Sequence, residues 1–365
     1  MRIRLSINLI NNIYFFIGTK AQAIKCLPLL RKFVLEDICK VYIVDSGQHV
    51  EIVESILKEF STKDVTRLKL YKNISNINTF SQSFSWVYEF VLNFLVLNNS
   101  SKLTIKNGIC ILHGDTLSTF LGLLWSKKNK LKTLHLESGL TSKKLLSPFP
   151  EEVIRRIVSK FSDILIAFDD NSYNYLKSKY NKKLIKRISE NTIIETINTN
   201  EDDIIPKTAL VTLHRTENLV SKRNLDNFIT FLKNLSKTHS IDWYLHEPTL
   251  NYLEKHQLTI PTNIKTHNLV EHDLFIECLT KADVVITDGG SIQEECYFLG
   301  KKTVIWRETT ERIYAVNKNM FISKFNIDES LNFIFNNKNI STKKFTNLKP
   351  SQEIFDYLEK LIFKN

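Results

Sequence analysis

The sequence predicts an α/β protein built as two doubly wound, Rossmann-like units whose ligand edges face a common cleft. Three observations lead there. Short β-branched or aromatic runs alternate with helical patterns and are joined by short connections. The alternation pauses at 182–199, a polar and charged stretch that reads as a linker, and then starts again. At 365 residues the chain has room for two domains of ordinary size. The expected division is an N-terminal domain at 1–182, a C-terminal domain at 183–345, and a C-terminal segment at 346–365 that packs back towards the N-terminal domain.

In sheets of this kind ligands bind beyond the carboxyl ends of the strands, so the residues that follow each strand are the candidates. The first strand is expected at 13–17. Gly18-Thr19-Lys20 follows it, then a helix at 21–35 with Lys25 in its first turns. Two cations beside a helix start suit a phosphate, although surface lysines are common and either alone would mean little. A strand at 41–44 and a helix at 50–60 come next. The strand at 109–112 leads into His113-Gly114-Asp115-Thr116 and a helix at 116–125, so Asp115 is either a functional carboxylate or a helix N-cap. The strand at 133–136 ends in Glu137-Ser138-Gly139. Ser147-Pro148-Phe149-Pro150-Glu151-Glu152 opens another helix, its prolines stiffening the entry and its acids complementing the dipole. A strand at 164–168 and a helix at 172–180 complete this half. Each acid has a structural reason to be where it is. Asp115, Glu137 and Glu151 converging on one sheet edge would nevertheless be costly unless function required them.

The second half repeats the pattern, with strands at 209–213, 241–245, 284–287 and 303–306 and helices at 223–237 and 273–281. His214-Arg215-Thr216-Glu217-Asn218 follows its first strand, placing a histidine and an arginine at the ligand edge. After Val284-Val285-Ile286-Thr287 comes Asp288-Gly289-Gly290-Ser291, where two residues without Cβ atoms allow a sharp turn and a close approach by a ligand. Ser291 is the expected N-cap of a helix at 292–299, stopped by Gly300. A strand, a glycine turn and a helix N-terminus make an anion site, and the plain alternative is an ordinary βα connection. Glu295 lies about 5.4 Å further along the same helix face as Ser291, an offset suited to the ribose hydroxyls of a nucleotide whose phosphates sit on the turn. Arg307 and Arg312 add cations after the next strand, and 351–363 reads as an amphipathic helix.

Composition narrows the partners. Hydrophobic content of 43% and aromatic content of 11% support real cores. The net charge of +11 comes from scattered lysines without a dense basic block or a nucleic-acid motif, so attraction to the phosphates of a nucleotide is expected and nucleic-acid binding is not. The five cysteines are odd in number and never spaced C-x-x-C, which argues for free thiols in a reducing compartment and against a metal site. Arg2, Arg4 and Ala21-Gln22-Ala23 imitate a signal peptide, but Asn11-Asn12 interrupts the apolar run, and no stretch approaches the ~18 apolar residues of a membrane span. A cytoplasmic protein without stable membrane insertion is expected.

The segments taken together resemble the UDP-N-acetylglucosamine 2-epimerase family, in particular its non-hydrolysing branch. In chain order they are GTKAQAIK at 18–25, QH at 48–49, HGDT at 113–116, LESG at 136–139, SPFPEE at 147–152, HRTEN at 214–218, TDGGSIQEE at 287–295 and RETTER at 307–312. The hydrolysing branch differs after the first GT and lacks the SP-aromatic-PEE and TTER segments. The resemblance implies a glycosyltransferase-B-like architecture, a UDP-2-acetamido sugar as substrate, no cofactor, and a homodimer that feeds surface polysaccharide. It implies elimination of UDP across C1–C2 to a 2-acetamidoglucal, followed by re-addition with inversion at C2. Asp115, Glu137 and Glu151 match the catalytic carboxylates, any of which could remove the C2 proton, and His214 matches the catalytic histidine. Lys20, Lys25 and Arg312 match phosphate or substrate contacts, Glu295 the ribose contact, and Phe275 the aromatic residue near uracil; Arg215 and the Gly289-Gly290-Ser291 turn complete the expected binding set. A hydrolysing epimerase and a glycosyltransferase share the architecture as alternatives, and a sugar-nucleotide-binding regulator would bind UDP without turnover.

This chain departs from the family pattern at five places. The usual Ser-Gly-Gly turn is Gly289-Gly290-Ser291, an arginine is replaced by Lys20 with loss of bidentate phosphate geometry, and another is replaced by Thr141. Gly-Asn-Thr has become Glu190-Asn191-Thr192, and the Gln-His-Arg of an allosteric site is Gln48-His49-Val50. The catalytic set is intact, and the departures bear on the exact sugar and on regulation.

Overall fold

The computed structural model describes residues 11–48, 50–58, 60–61, 63–70, 107–141, 150–197, 204–310, 312, 316, 318–339 and 347–362. Arg2, Arg4, His49, Glu311 and the segment 147–149 lie outside the described residues. The chain divides into two compact units, Met1–Thr196 together with Leu348–Asn365, and Ile197–Asn347.

In the first unit the order is β1 (Asn12–Ile17), α1 (Lys20–Glu36), β2 (Lys40–Asp45), α2 (Val50–Leu57), β3 (Val65–Lys69), β4 (Ile109–His113) and α3 (Leu117–Lys128). There follow β5 (Lys132–Leu136), α4 (Glu151–Phe161), β6 (Ile164–Ala167), α5 (Asp170–Lys179) and β7 (Leu184–Arg187). All described pairings are parallel, in the order β3-β2-β1-β4-β5-β6-β7. Strand β1 is buried along its whole length because both its faces are covered. Ile13, Phe15 and Ile17 pack with Leu29, Leu30 and Phe33 of α1, while Tyr14 and Phe16 pack with Leu121 and Trp125 of α3. Each such large side chain contributes about 1.5–3 kcal/mol on burial.

The expected boundary at 182/183 is corrected, because it would sever β7 from its sheet. Leu184 to Arg187 pair with Ile164 to Ala167 of β6, and only Ile185 of β7 is buried, so this edge strand has too little apolar signal to separate it from a linker. The 3-10 turn Thr192–Thr196 also belongs here, where the Thr192 hydroxyl donates to the Lys25 carbonyl at 2.5 Å. The C-terminal helix Pro350–Ile362 joins the same unit: Phe355 meets Phe33 edge-on at 5.1 Å, and Ser351 donates from N–H and hydroxyl to Glu195.

The second unit contains β8 (Ile205–Leu213), α6 (Thr216–Leu219), α7 (Lys222–Leu235), β9 (Ser240–Leu245), α8 (Glu247–His256), β10 (Lys265–His267) and α9 (His272–Lys281). It continues with β11 (Ala282–Thr287), α10 (Gly290–Phe298), β12 (Lys302–Ile305), β13 (Met320–Ile322) and α11 (Ile327–Asn336). Its parallel sheet has the order β10-β9-β8-β11-β12-β13. The core is aromatic, with Phe228 and Phe231 of α7 against Trp243 and Trp306, the last stacked on Phe231 at 4.8 Å.

One local expectation fails. Ser291 does not cap α10; Gly289 occupies the N-cap position and the helix begins at Gly290. Without a Cβ, Gly289 and Gly290 let the chain enter the helix directly from the strand, so no side-chain cap forms. The helix does stop at Gly300: its φ is +64°, its N–H donates to Tyr297, and the Lys301 N–H donates to Cys296, the two bonds of a Schellman end.

Candidate active site

Each sheet reverses its strand order once among the described strands, between β1 and β4 in the first unit and between β8 and β11 in the second. A doubly wound sheet opens a crevice beyond its strand ends at such a reversal. Lys20 and Asp115 follow the strands at the first reversal, Glu137 follows the neighbouring β5, and His214, Arg215 and the Gly289-Gly290-Ser291 turn follow the strands at the second.

In the first unit Gln22 joins the loops at the reversal. Its side-chain oxygen accepts the N–H groups of Gly18 (2.9 Å) and Thr19 (3.1 Å), and its nitrogen donates to the His113 carbonyl (3.0 Å). Gly18 has no room for a side chain, since a Cβ there would lie 2.5 Å from Ser46 and Ser118. Lys20 is exposed at the start of α1, whereas Lys25 points inward and lies 2.6 Å from Glu137. Both are nearly sealed from solvent, at 3% and 6% exposure. Glu137 also accepts from Asn191 at 3.2 Å, and His113 Nε2 lies 3.4 Å from it. Its φ of 58° is a left-handed conformation that a non-glycine residue adopts at a cost of about 1–3 kcal/mol. Glu137 is thus a buried carboxylate on strained backbone, held by a cation and an amide, a combination found at functional sites as well as in structural ion pairs.

Asp115 stands at the neighbouring strand end. Thr116, not Asp115, is the N-cap of α3, so the capping role does not account for the acid. Arg155 of α4 donates to the Asp115 carboxylate and, through its other nitrogen, to Glu152 at 2.8 Å. Glu152 is fully buried and takes further bonds from Thr141 and Arg156, each at 2.8 Å. Glu151 is the first residue of α4, and its Oε2 is buried without a hydrogen-bond partner among the described residues. The structure therefore gathers Asp115, Glu137, Glu151 and Lys25 around the ends of β4 and β5 and the start of α4.

In the second unit Asp288 is the organiser. Fully buried, it accepts the backbone N–H groups of His214 (3.1 Å) and Arg215 (2.9 Å) and the side chain of Asn218 (2.8 Å). This fastens the loop after β8 to the turn after β11. His214 Nδ1 is 3.2 Å from Asp288, and its ring lies against His246 at 4.6 Å. A Cβ on Gly289 would lie 3.0 Å from the His214 ring, a tight contact that the ring would have to yield to. Glu295 is bonded to His272 Nε2 at 3.0 Å, while its Oε2 is buried without a partner among the described residues. Arg312 lies 3.1 Å from Glu294, and the Gln293 amide donates to the Arg312 carbonyl at 2.7 Å. Phe275 meets Tyr244 edge-on at 5.5 Å, away from the His214–Gly289 contact in sequence but on the same unit.

Sequence reasoning missed Asp288, Asn191, Arg155 and Glu152. Asp288 was legible as the acid after β11, since the residue after each strand is the one to inspect. Arg155 could have been found as the residue one turn beyond Glu151 on the same helix face. Asn191 falls within the polar stretch 182–199, which reads as a linker from sequence. No group of three or more metal-ligating side chains occurs among the described residues.

Fold and polar strand ends define an α/β protein of the glycosyltransferase-B type. Residues 34–344 match the family described as UDP-N-acetylglucosamine 2-epimerase, and the chain belongs to that family. It is 28% identical to a UDP-N-acetylglucosamine 2-epimerase of Neisseria meningitidis over 82% of this chain and 83% of the relative. A solved structure of the UDP-GlcNAc 2-epimerase from Neisseria meningitidis, bound to UDP-GlcNAc, superposes with a TM-score of 0.74 at 25% identity, covering 96% of this chain and 100% of that one. The fold is also that of the Methanocaldococcus jannaschii enzyme crystallised with UDP-GlcNAc and UDP, with a TM-score of 0.76 at 22% identity and coverage of 95% and 99%.

Proposed function

We propose that this chain is a non-hydrolysing UDP-N-acetylglucosamine 2-epimerase, interconverting UDP-GlcNAc and UDP-ManNAc or acting on a closely related UDP-2-acetamido sugar. The observation that carries the reading is the buried Lys25–Glu137 pair beside Asp115 and Glu151. Replacing a buried ion pair by apolar residues is often neutral or stabilising, so folding alone gives little reason to keep it. The SPFPEE and TTER segments favour the non-hydrolysing branch over the hydrolysing one.

In the proposed reaction the C1–O bond to UDP breaks while the C2 proton passes to a carboxylate, giving a 2-acetamidoglucal and UDP. UDP then re-adds at C1 as a proton is delivered to the opposite face of C2. The C2 proton is weakly acidic, so charge developing at C1 as the bond opens must be stabilised by nearby carboxylates. Glu137, Asp115 and Glu151 supply them, with Glu137 and Asp115 fixed by Lys25 and Arg155. His214, held by the Asp288 cluster, and the N-terminus of α10 would meet the departing diphosphate, and the unpartnered Glu295 oxygen would accept from the ribose. Lys20, Arg215 and Arg312 would add cations around the phosphates, and Phe275 would flank the base.

Incubation with UDP-GlcNAc in deuterated water, followed by NMR, tests this. UDP-ManNAc deuterated at C2, with little free UDP, is the expected result. Accumulating free UDP and ManNAc would favour a hydrolysing enzyme, and no exchange at C2 with any UDP-HexNAc would sink the proposal.

A further inference from the structure

His135 has no place in the mechanism above, yet it lies beneath all three acid-bearing segments. It is the penultimate residue of β5, two before Glu137, and is fully buried on the face opposite Leu134 and Leu136. Its Nε2 lies 2.7 Å from the Gly114 carbonyl, and its Nδ1 lies 3.3 Å from the Ser159 hydroxyl. A carbonyl only accepts, so the ring proton is on Nε2, and Nδ1 is left to accept from Ser159. Burial pushes the imidazole down to about 4, against the nearby Glu137 carboxylate and with help from Arg155 and Lys183, so the ring is neutral at pH 7.

Each partner leads to an acid. Gly114 has φ +69° and precedes Asp115; its N–H donates to Leu136 at 3.1 Å, so with His135 on its carbonyl both its peptide groups are clamped. Ser159 lies one turn beyond Arg155 on α4, the helix that opens with Glu151 and whose Arg155 holds Asp115. Glu137 follows two residues later on the same backbone.

We propose that His135 is a positioning residue: a neutral imidazole donating to the Gly114 carbonyl and accepting from Ser159, which sets the mutual placement of Asp115, Glu137 and Glu151. The inference rests on the epimerase reading for its kinetic consequences only. A shift of about 1 Å in a reacting group lowers turnover by about 100-fold. His135→Leu is therefore expected to reduce kcat for C2 exchange by about 100-fold while KM and the Kd for UDP stay within about threefold. His135→Gln, whose amide can donate to the Gly114 carbonyl, is expected to recover to within about tenfold of the parent. Leucine-variant turnover within about threefold of the parent, or equal weakness of both variants, would overturn the role. If the leucine variant does not fold, Ser159→Ala replaces it: a loss of kcat of about threefold at unchanged KM supports the proposal, and unchanged kcat overturns it.

Long-range proton–nitrogen NMR of the unsubstituted protein supplies a readout independent of activity. The His135 ring should remain neutral and protonated at Nε2 between pH 5 and 8 by these contacts, and an Nδ1–H tautomer or an imidazolium there overturns the assignment. Absence of epimerase activity in the parent would remove the proposed function and leave this tautomer result standing, so the two failures are distinguishable.

Discussion

The two units apply one topology to two kinds of polar work. Both place their polar loops where the strand order reverses, but they stabilise them differently. In the first unit, opposite side-chain charges meet: Lys25 with Glu137 and Arg155 with Glu152 in near-complete burial, and Arg155 with the half-buried Asp115. In the second, one buried carboxylate, Asp288, collects backbone and amide N–H groups, and a residue without a side chain stands at the helix start. Reacting groups must be held against rotation, which ion pairs with fixed partners accomplish. A phosphate is held by N–H groups at a helix end, where added bulk only obstructs. On the function proposed above, turnover would rest mainly on the first unit and nucleotide affinity mainly on the second.

The largest expected effect lies in the first unit. Glu137→Gln should lower C2 exchange by about 1,000-fold or more and leave the Kd for UDP within about threefold. Lys25→Met should do comparable damage and, by leaving Glu137 buried without its cation, lower stability by about 3–5 kcal/mol in urea titrations. Equal losses of UDP affinity and turnover in Glu137→Gln would erase the contrast.

The mirror experiment is Asp288→Ala. Its three donors would lose a common acceptor, each bond to a charged group being worth about 1.5–3 kcal/mol. UDP binding by calorimetry should weaken by about tenfold or more, while exchange at saturating substrate falls less. A variant with normal UDP affinity and collapsed turnover would transfer the catalytic emphasis to the second unit.

A third prediction uses pH to separate the units. His135 belongs to the first, and burial holds its pKa at about 4, well below the ordinary 6.5. The unfolded chain therefore binds a proton that the folded chain refuses between these values, so stability rises with pH across the interval. The contribution is complete above about pH 6.5, is lost as pH falls to about 4, and amounts to about 3 kcal/mol. Unfolding free energies from urea titrations at pH 7 and pH 4.5 should differ less in His135→Gln than in the parent, by about 2 kcal/mol. An identical pH dependence in both proteins would mean that the ring titrates normally.

These contrasts also explain what could be read from the chain. Strands such as β1 and β11 carry apolar runs, Ile13 to Ile17 and Val284 to Ile286, because both their faces are covered, so they stand out in the sequence. Strands β7 and β10 bury little, with one buried residue and none, and left no comparable trace. Asp115, Glu137 and His214 were legible because each follows a strand. Arg155 and Asn191 reach acids distant in sequence, and neither Asn191→Glu137 nor Arg155→Asp115 is encoded in any local spacing.

The smallest predicted effect addresses the turn itself. From sequence, Ser291 is a helix cap, and removing a capping hydroxyl costs about 1 kcal/mol. In the structure Gly289 is the N-cap and Ser291 lies inside the first turn of α10, where its side chain caps nothing. Ser291→Ala should then change stability by less than about 0.5 kcal/mol, as alanine is also the better helix former. Because the backbone N–H groups remain, UDP affinity should fall by no more than about threefold, the worth of one exposed neutral hydrogen bond. A loss near 1 kcal/mol without change in UDP binding would restore Ser291 as the cap. A loss of UDP affinity beyond about tenfold would instead make its hydroxyl a phosphate ligand, and the second unit would then rely on a side chain as the first does.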